Sequence, residues 1–201
     1  MQLYLVTNRK QCLLPLPEVV RQAAGAGVNG IILREKDLTS RELYELALPI
    51  RKITGETGTT LIVADRLEVA MAVQADGVLL GYSSLPPGVV KQTIGYRGEI
   101  WASVHSPAEA RQAQQNGATA LVAGHIFTTD CKPGLNPRGI SFLKEILAQV
   151  TIPVIAIGGI TPSTAPSLVG SGAAGVAVMS YINNAQEPSL ATRKLLAVCT
   201  R

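Results

Sequence analysis

The stretch Gly124-His125-Ile126-Phe127-Thr128-Thr129-Asp130-Cys131-Lys132-Pro133-Gly134 gathers an imidazole, two hydroxyls, a carboxylate, a thiol and an ammonium on one short segment. It follows an apolar run, Ala120-Leu121-Val122-Ala123, that reads as a buried strand. Buried strands have no use for such groups, whereas loops at the carboxyl ends of barrel strands do. His125 is one of 2 histidines in the chain, and an imidazole near neutrality can take a proton and return it within one turnover. Thr129 and Lys132 add a hydroxyl and a cation beside it. Arg34 and Lys36 lie two positions apart on an extended segment, so they point to one side with Glu35 opposite. A guanidinium fork and an ammonium together suit a carboxylate or a diphosphate.

Gly158-Gly159-Ile160-Thr161-Pro162 follows the apolar run Val154-Ile155-Ala156-Ile157 and is the best phosphate candidate. Two glycines let the backbone approach a ligand, and a helix opening at Thr161 would aim free N–H groups at it. Val178-Met179-Ser180 closes the last apolar run and would supply facing amides. His105, in Ser103-Val104-His105-Ser106-Pro107, opens a helix and reads as a capping or supporting residue. Cys131 has no evident base partner other than His125. The candidate set is cationic and hydroxylated with little acid, which is the make-up of an anion site.

Short apolar runs alternate with amphipathic ones from end to end. The strands expected are Gln2–Thr7, Gly30–Arg34, Thr60–Ala64, Gly77–Leu80, Ile100–Val104, Ala120–Ala123, Pro153–Ile157 and Gly175–Met179. Helices are expected over Pro17–Ala26, Ser40–Thr54, Arg66–Gln74, Pro86–Ile94, Pro107–Asn116, Ile140–Gln149, Thr161–Ser171 and Ser189–Val198, several of them opened by a cap or an early proline. A turn of small residues leads into the strands at Gly30, Gly77, Ala120 and Gly175, on alternate units, as a barrel of repeated quarters would show. The reading is an α/β fold, a (β/α)8 TIM barrel forming one domain over 1–201. A doubly wound open sheet is the alternative, but it needs fewer strands and a clear switch point.

Composition agrees. Apolar residues make up 47% and aromatics only 4%, so the core is Val, Ile, Leu and Ala, which favours parallel sheet under helices. A net charge of +4, with no like-charge block and no basic stripe among aromatics, argues against nucleic acid and suits a phosphorylated small molecule. Cys12, Cys131 and Cys199 are odd in number, far apart and without metal-ligand spacing, so neither disulfides nor a metal centre are expected and a reducing cytoplasm is. No signal-peptide pattern and no run of about 18 apolar residues is seen, so a membrane partner is not expected either. Further copies of the chain are, as a homodimer or larger homo-oligomer.

In this order, Tyr4-Leu5-Val6-Thr7, Leu33-Arg34-Glu35-Lys36, Ala64-Asp65-Arg66, Ser103-Val104-His105-Ser106, Gly124 to Lys132, Pro153 to Ile160 and Gly175 to Ser180 resemble the thiamine phosphate synthase superfamily over almost the whole chain. The synthase pattern carries Gln before the Arg-x-Lys, Asn-Asp after the third strand, and a glutamine with acidic residues, one a magnesium ligand, after the fourth. Here stand Leu33, Ala64-Asp65 and Gly81-Tyr82-Ser83-Ser84. Mg²⁺ depends on hard oxygen ligands, so these departures point away from the synthase. The histidine of the sixth loop, with Thr129-Asp130-Cys131-Lys132 after it, looks like the TenI-type thiazole tautomerase branch.

That resemblance implies an isomerase of thiamine biosynthesis. It would turn a carboxylated thiazolidene phosphate into the aromatic thiazole carboxylate phosphate by moving one proton. His125 would be catalytic, and Arg34, Lys36 or Lys132 would hold the carboxylate. Gly158, Gly159, Val178, Met179 and Ser180 would hold the phosphate, with no metal and no cofactor. Two alternatives stand beside it: the synthase itself, joining a pyrimidine diphosphate to a thiazole phosphate, and a non-catalytic regulatory protein that binds a thiamine precursor.

Overall fold

The computed structural model describes residues 1–199; Thr200 and Arg201, the last two of the expected 1–201 unit, lie outside the described residues. Eight strands run parallel and close into a barrel in chain order. They are β1 (Gln2–Val6), β2 (Gly30–Leu33), β3 (Thr60–Ala64), β4 (Gly77–Leu80), β5 (Glu99–Val104), β6 (Ala120–Gly124), β7 (Val154–Ile157) and β8 (Gly175–Val178). Outside lie α1 (Leu16–Gly25), α2 (Ser40–Thr57), α3 (Leu67–Ala72), α4 (Pro107–Gln115), α5 (Gly139–Leu147), α6 (Ser180–Asn183) and α7 (Pro188–Cys199).

Both faces of each strand are covered, which is why the strands read as unbroken apolar runs. Alternation sorts their side chains. Leu3, Leu5, Ile31, Leu33, Leu61 and Val63 meet the helices, while Tyr4, Ile32, Ile62, Leu79, Trp101 and Ile155 fill the barrel interior. The small residues that open β2, β4, β6 and β8 have a packing cause. A Cβ at Gly30 would come 2.7 Å from the Tyr4 ring, and one at Gly77 2.7 Å from the end of Ile62. Register sets Ala120 beside Trp101 and Gly175 beside Ile155. Small residues on even strands thus make room for large ones on odd strands, and the Tyr4 and Trp101 rings meet edge to face at 5.0 Å.

The helical layer departs from expectation at three places. Instead of a helix over Thr161–Ser171 there is one 3₁₀ turn at Ala165–Leu168, because Pro162 and Pro166 interrupt the run of donors and Gly170 and Gly172 turn left-handed after it. Over Pro86–Ile94 only a π turn, Val89–Thr93, follows Pro86-Pro87-Gly88. The helix expected over Arg66–Gln74 is confined to Leu67–Ala72. The short α6 is anchored by buried Asn183, whose side-chain amide donates to Val6 O at 2.9 Å and Met179 O at 3.0 Å, tying the end of β8 to β1. Among the described residues no helix is long and apolar enough to cross a membrane.

Candidate active site

The inward columns of the barrel continue past the strand ends into one mouth. Asn8 stands beyond Val6, Arg34 beyond Ile32, Gly81 beyond Leu79, His105 beyond Ser103 and Met179 beyond Ala177. They line a cavity of about 870 Å³, which also takes in Lys36, His125, Thr129, Lys132, Gly158, Gly159, Val178 and Ser180. The candidate catalytic, carboxylate-holding and phosphate-holding residues read from the sequence therefore all line this one space. A side recess of about 290 Å³ opens between the loops after β2, β3 and β4, walled by Arg34, Lys36, Asp65, Arg66, Ser83 and Ser84 among others.

The two acids next to Arg34 and Lys36 in the chain are engaged elsewhere, which leaves Asp65 as the carboxylate of that recess outside an ion pair among the described residues. Glu35 is buried, accepts the Arg9 N–H on both carboxylate oxygens at 3.1 Å, and takes Arg9 Nη1 at 3.1 Å. The same guanidinium forks onto Asp37 at 2.6 and 2.7 Å, and Lys10 Nζ adds a contact at 2.8 Å. Arg9, then Lys10, hold the Asp37 carboxyl well below the usual carboxylate range. With Glu35 and Asp37 so engaged, Arg34, Lys36 and Lys132 have no ion-pair partner among the described residues. Buried Thr7 accepts the Arg34 N–H at 2.9 Å and fixes where that side chain starts. Burial, followed by repulsion from Arg138, Arg34 and Lys36, pulls the Lys132 ammonium below its usual pKa. The β6 loop thus brings its cation within electrostatic reach of the pair on the β2 loop.

His125 lies at the floor, 5% exposed, with Nε2 3.3 Å from Leu135 O. A carbonyl only accepts, so Nε2 carries the hydrogen of that bond and a neutral ring leaves Nδ1 as an acceptor. The glycine pair of the seventh loop packs on this segment. A Cβ at Gly158 would fall 2.4 Å from His125 Cβ, and one at Gly159 2.3 Å from Thr128 O. Both residues also have left-handed φ, +103° and +66°. Their lack of side chains is explained by loop-on-loop packing before any ligand is considered. The free N–H expected at Thr161 is not free: it donates to Thr164 Oγ1 at 2.9 Å, and that hydroxyl donates to Gly159 O at 2.9 Å. On the facing loop, Ser180 and Tyr181 open α6, where first-turn amides have no intrahelical acceptor. Ser180 Oγ donates to Gln11 Oε1 at 3.3 Å and lies 3.5 Å from Cys131 Sγ.

His105 sits beside the cap of α4, where Ser106 Oγ accepts the Glu109 N–H at 3.1 Å. Burial, then Lys132, lower its pKa against the opposing pull of Glu109. Asp65, itself at φ +63°, accepts the Gly81 N–H at 3.1 Å and the Ser84 hydroxyl at 2.7 Å on the same oxygen. Sequence reasoning missed Asn8, Gln11 and Ser84 as lining residues, whereas Arg66 is legible from its place at the end of the third strand. Polar residues immediately past an apolar strand were the available signal for Asn8.

Comparison with known proteins follows the same outline. Residues 3–182 match the family model described as thiamine monophosphate synthase. A thiamine-phosphate synthase of Moorella thermoacetica is 42% identical over 188 residues, 93% of this chain and 90% of that protein. One of Pyrococcus abyssi is 40% identical over 195 residues, 97% of this chain and 93% of that protein. The solved thiamine phosphate pyrophosphorylase from Pyrococcus furiosus superposes with a TM-score of 0.91 at 37% identity, covering 99% of this chain and 95% of that one. These relatives overturn the tautomerase expectation and with it the isomerase class. Proteins alike over almost their full length carry the name of the transferase, the reading held as an alternative. The histidine of the sixth loop and the departures at Leu33, Ala64 and Gly81 to Ser84 are local, whereas the likeness to the synthases spans the chain.

Proposed function

The chain belongs to the thiamine monophosphate synthase family, and from that we propose that this enzyme of thiamine synthesis is a transferase, joining a pyrimidine diphosphate to a thiazole phosphate with release of pyrophosphate. The observation that carries the reading is the roughly 40% identity to thiamine-phosphate synthases along nearly the whole chain.

The cavity supports it by offering two anion ends. In a barrel closed in chain order, the loops of β2 to β4 lie across the mouth from those of β7 and β8. Arg34, Lys36 and Lys132 would hold the diphosphate. Amides near Gly158, Gly159 and Val178-Met179-Ser180, with the Thr129 hydroxyl, would hold the phosphate of the partner. Each substrate is gripped by its anionic group, which sets the pyrimidine methylene carbon and the thiazole nitrogen side by side. As the bond from the pyrimidine methylene carbon to the diphosphate oxygen breaks, that oxygen keeps the electron pair. Fixed cations meet the growing charge without having to reorganise. The thiazole nitrogen then supplies the pair for the new bond to carbon. His125 lines the same cavity, and its imidazole would be the group at hand to take up or return a proton there.

Incubating the protein with both substrates and converting any thiamine phosphate to fluorescent thiochrome tests the proposal. Product should require both substrates and fall at least about tenfold in Arg34→Ala, since a charged hydrogen bond to the leaving group is lost. No thiochrome at any protein concentration would sink it.

A further inference from the structure

A diphosphate is commonly handled with a divalent ion that brings several hard oxygens into near-octahedral order. The donor set here does not fit one. Asp65 is the one carboxylate of the side recess not already held in an ion pair, and its Oδ1 already accepts from Gly81 N–H and Ser84 Oγ. That leaves Asp65 Oδ2 as the single carboxylate oxygen of the recess without a hydrogen-bond or ion-pair partner among the described residues, where a divalent ion needs several hard oxygens. Glu35 has both oxygens on Arg9. Asp130 is exposed on the β6 loop. Among the described residues no group of three His, Cys, Asp or Glu could hold a metal ion. On the same recess stand Arg34 and Lys36, with Lys132 near them, all without acidic partners among the described residues. Like charges so placed repel, and a polyanion relieves the repulsion while another cation would add to it.

We propose that the diphosphate end of this site works without a bound divalent ion, the anion's charge being met directly by Arg34, Lys36 and Lys132 and by the hydroxyl of Ser83. The transferase reading supplies only the identity of the anion; the binding chemistry is a property of the recess. The depressed pKa of Lys132, caused in part by Arg34 and Lys36, agrees with a cluster that lacks its counter-ion.

Titration calorimetry with inorganic pyrophosphate, in excess EDTA and again in Mg²⁺, tests this, together with Mn²⁺ titrated alone. Pyrophosphate should bind in EDTA with an affinity that Mg²⁺ does not improve, and Mn²⁺ alone should not bind. Lys36→Ala and Arg34→Ala should each weaken pyrophosphate about tenfold or more in EDTA. Ser84→Asp, which sets a second carboxylate beside Asp65, should create Mn²⁺ binding that the parent lacks. Pyrophosphate that binds the parent only with Mg²⁺ or not at all, or Mn²⁺ that saturates the parent alone, overturns the proposal. The readout is independent of turnover. Metal-free binding without thiamine phosphate synthesis defeats the functional reading only, and synthesis with Mg²⁺-dependent binding defeats this one only.

Discussion

Replacing Gly158 by alanine adds one methyl group at the place where the β7 loop closes on His125. The residue has φ +103°, and left-handed backbone costs an L residue about 1–2 kcal/mol. The new Cβ would lie 2.4 Å from His125 Cβ and 2.8 Å from His125 Cα. Neither atom is the end of a flexible side chain, so backbone must move, and forced overpacking of this kind costs about 1–3 kcal/mol. Together the loss is about 2–5 kcal/mol. For a chain of this size each kcal/mol moves the melting temperature by roughly 2–4 °C, giving a fall of roughly 4–20 °C. Gly55→Ala is the matched control: it lies inside α2 with nothing within 4 Å of its added Cβ, and alanine in a helix interior gains about 0.5–1 kcal/mol over glycine. Thermal unfolding followed by circular dichroism decides. If Gly158→Ala melts with the parent while Gly55→Ala rises as expected, the β7 and β6 loops do not meet as described.

Glu35→Gln removes the buried charge that Arg9 holds. Because glutamine still accepts one N–H, the loss should be about 1–2 kcal/mol, with weaker pyrophosphate binding as the β1 loop loosens; equal melting and equal affinity would refute the role given to the Arg9–Glu35 contact. His105 has a depressed pKa, so the unfolded chain binds that proton more tightly and the residue's stabilising contribution, present above about 6.5, is lost as pH falls through the lower folded value. Melting curves above and below that point should show the parent losing more stability on acidification than His105→Asn, and parallel losses would contradict the cause given. The Tyr96 hydroxyl is buried without a hydrogen-bond partner among the described residues, so Tyr96→Phe should raise stability by about 1 kcal/mol, a gain that denaturant midpoints resolve and whose reversal would reveal a bond at that oxygen.

Much of the architecture could be read from the chain because alternate units repeat one physical motif, a turn of small residues leading into an unbroken apolar run. Gly30, Gly77, Ala120 and Gly175 mark it four times, and the structure supplies the cause in Tyr4, Ile62, Trp101 and Ile155. Arg34 and Lys36 were legible as a pair from strand alternation alone. Their freedom from acids was not, since Glu35 and Asp37 are claimed by Arg9, 26 and 28 positions away. The two glycines after β7 read as a ligand turn, yet their first cause is contact with His125 and Thr128, which only the closed barrel brings near. The helix expected at Thr161 failed because periodicity outweighed Pro162 and Pro166. The activity went astray for a related reason. The histidine of the sixth loop and the serines of the fourth are local signals, whereas likeness to the synthases is spread over the whole chain.

Transfer itself is the central claim, and phosphorus-31 NMR of a mixture of the protein, a pyrimidine diphosphate and a thiazole phosphate observes it directly. The expected result is loss of both substrate signals, with thiamine phosphate and inorganic pyrophosphate appearing in equal amounts and no signal changing when either substrate is left out. A thiazole phosphate that changes while the pyrimidine diphosphate stays intact would contradict it.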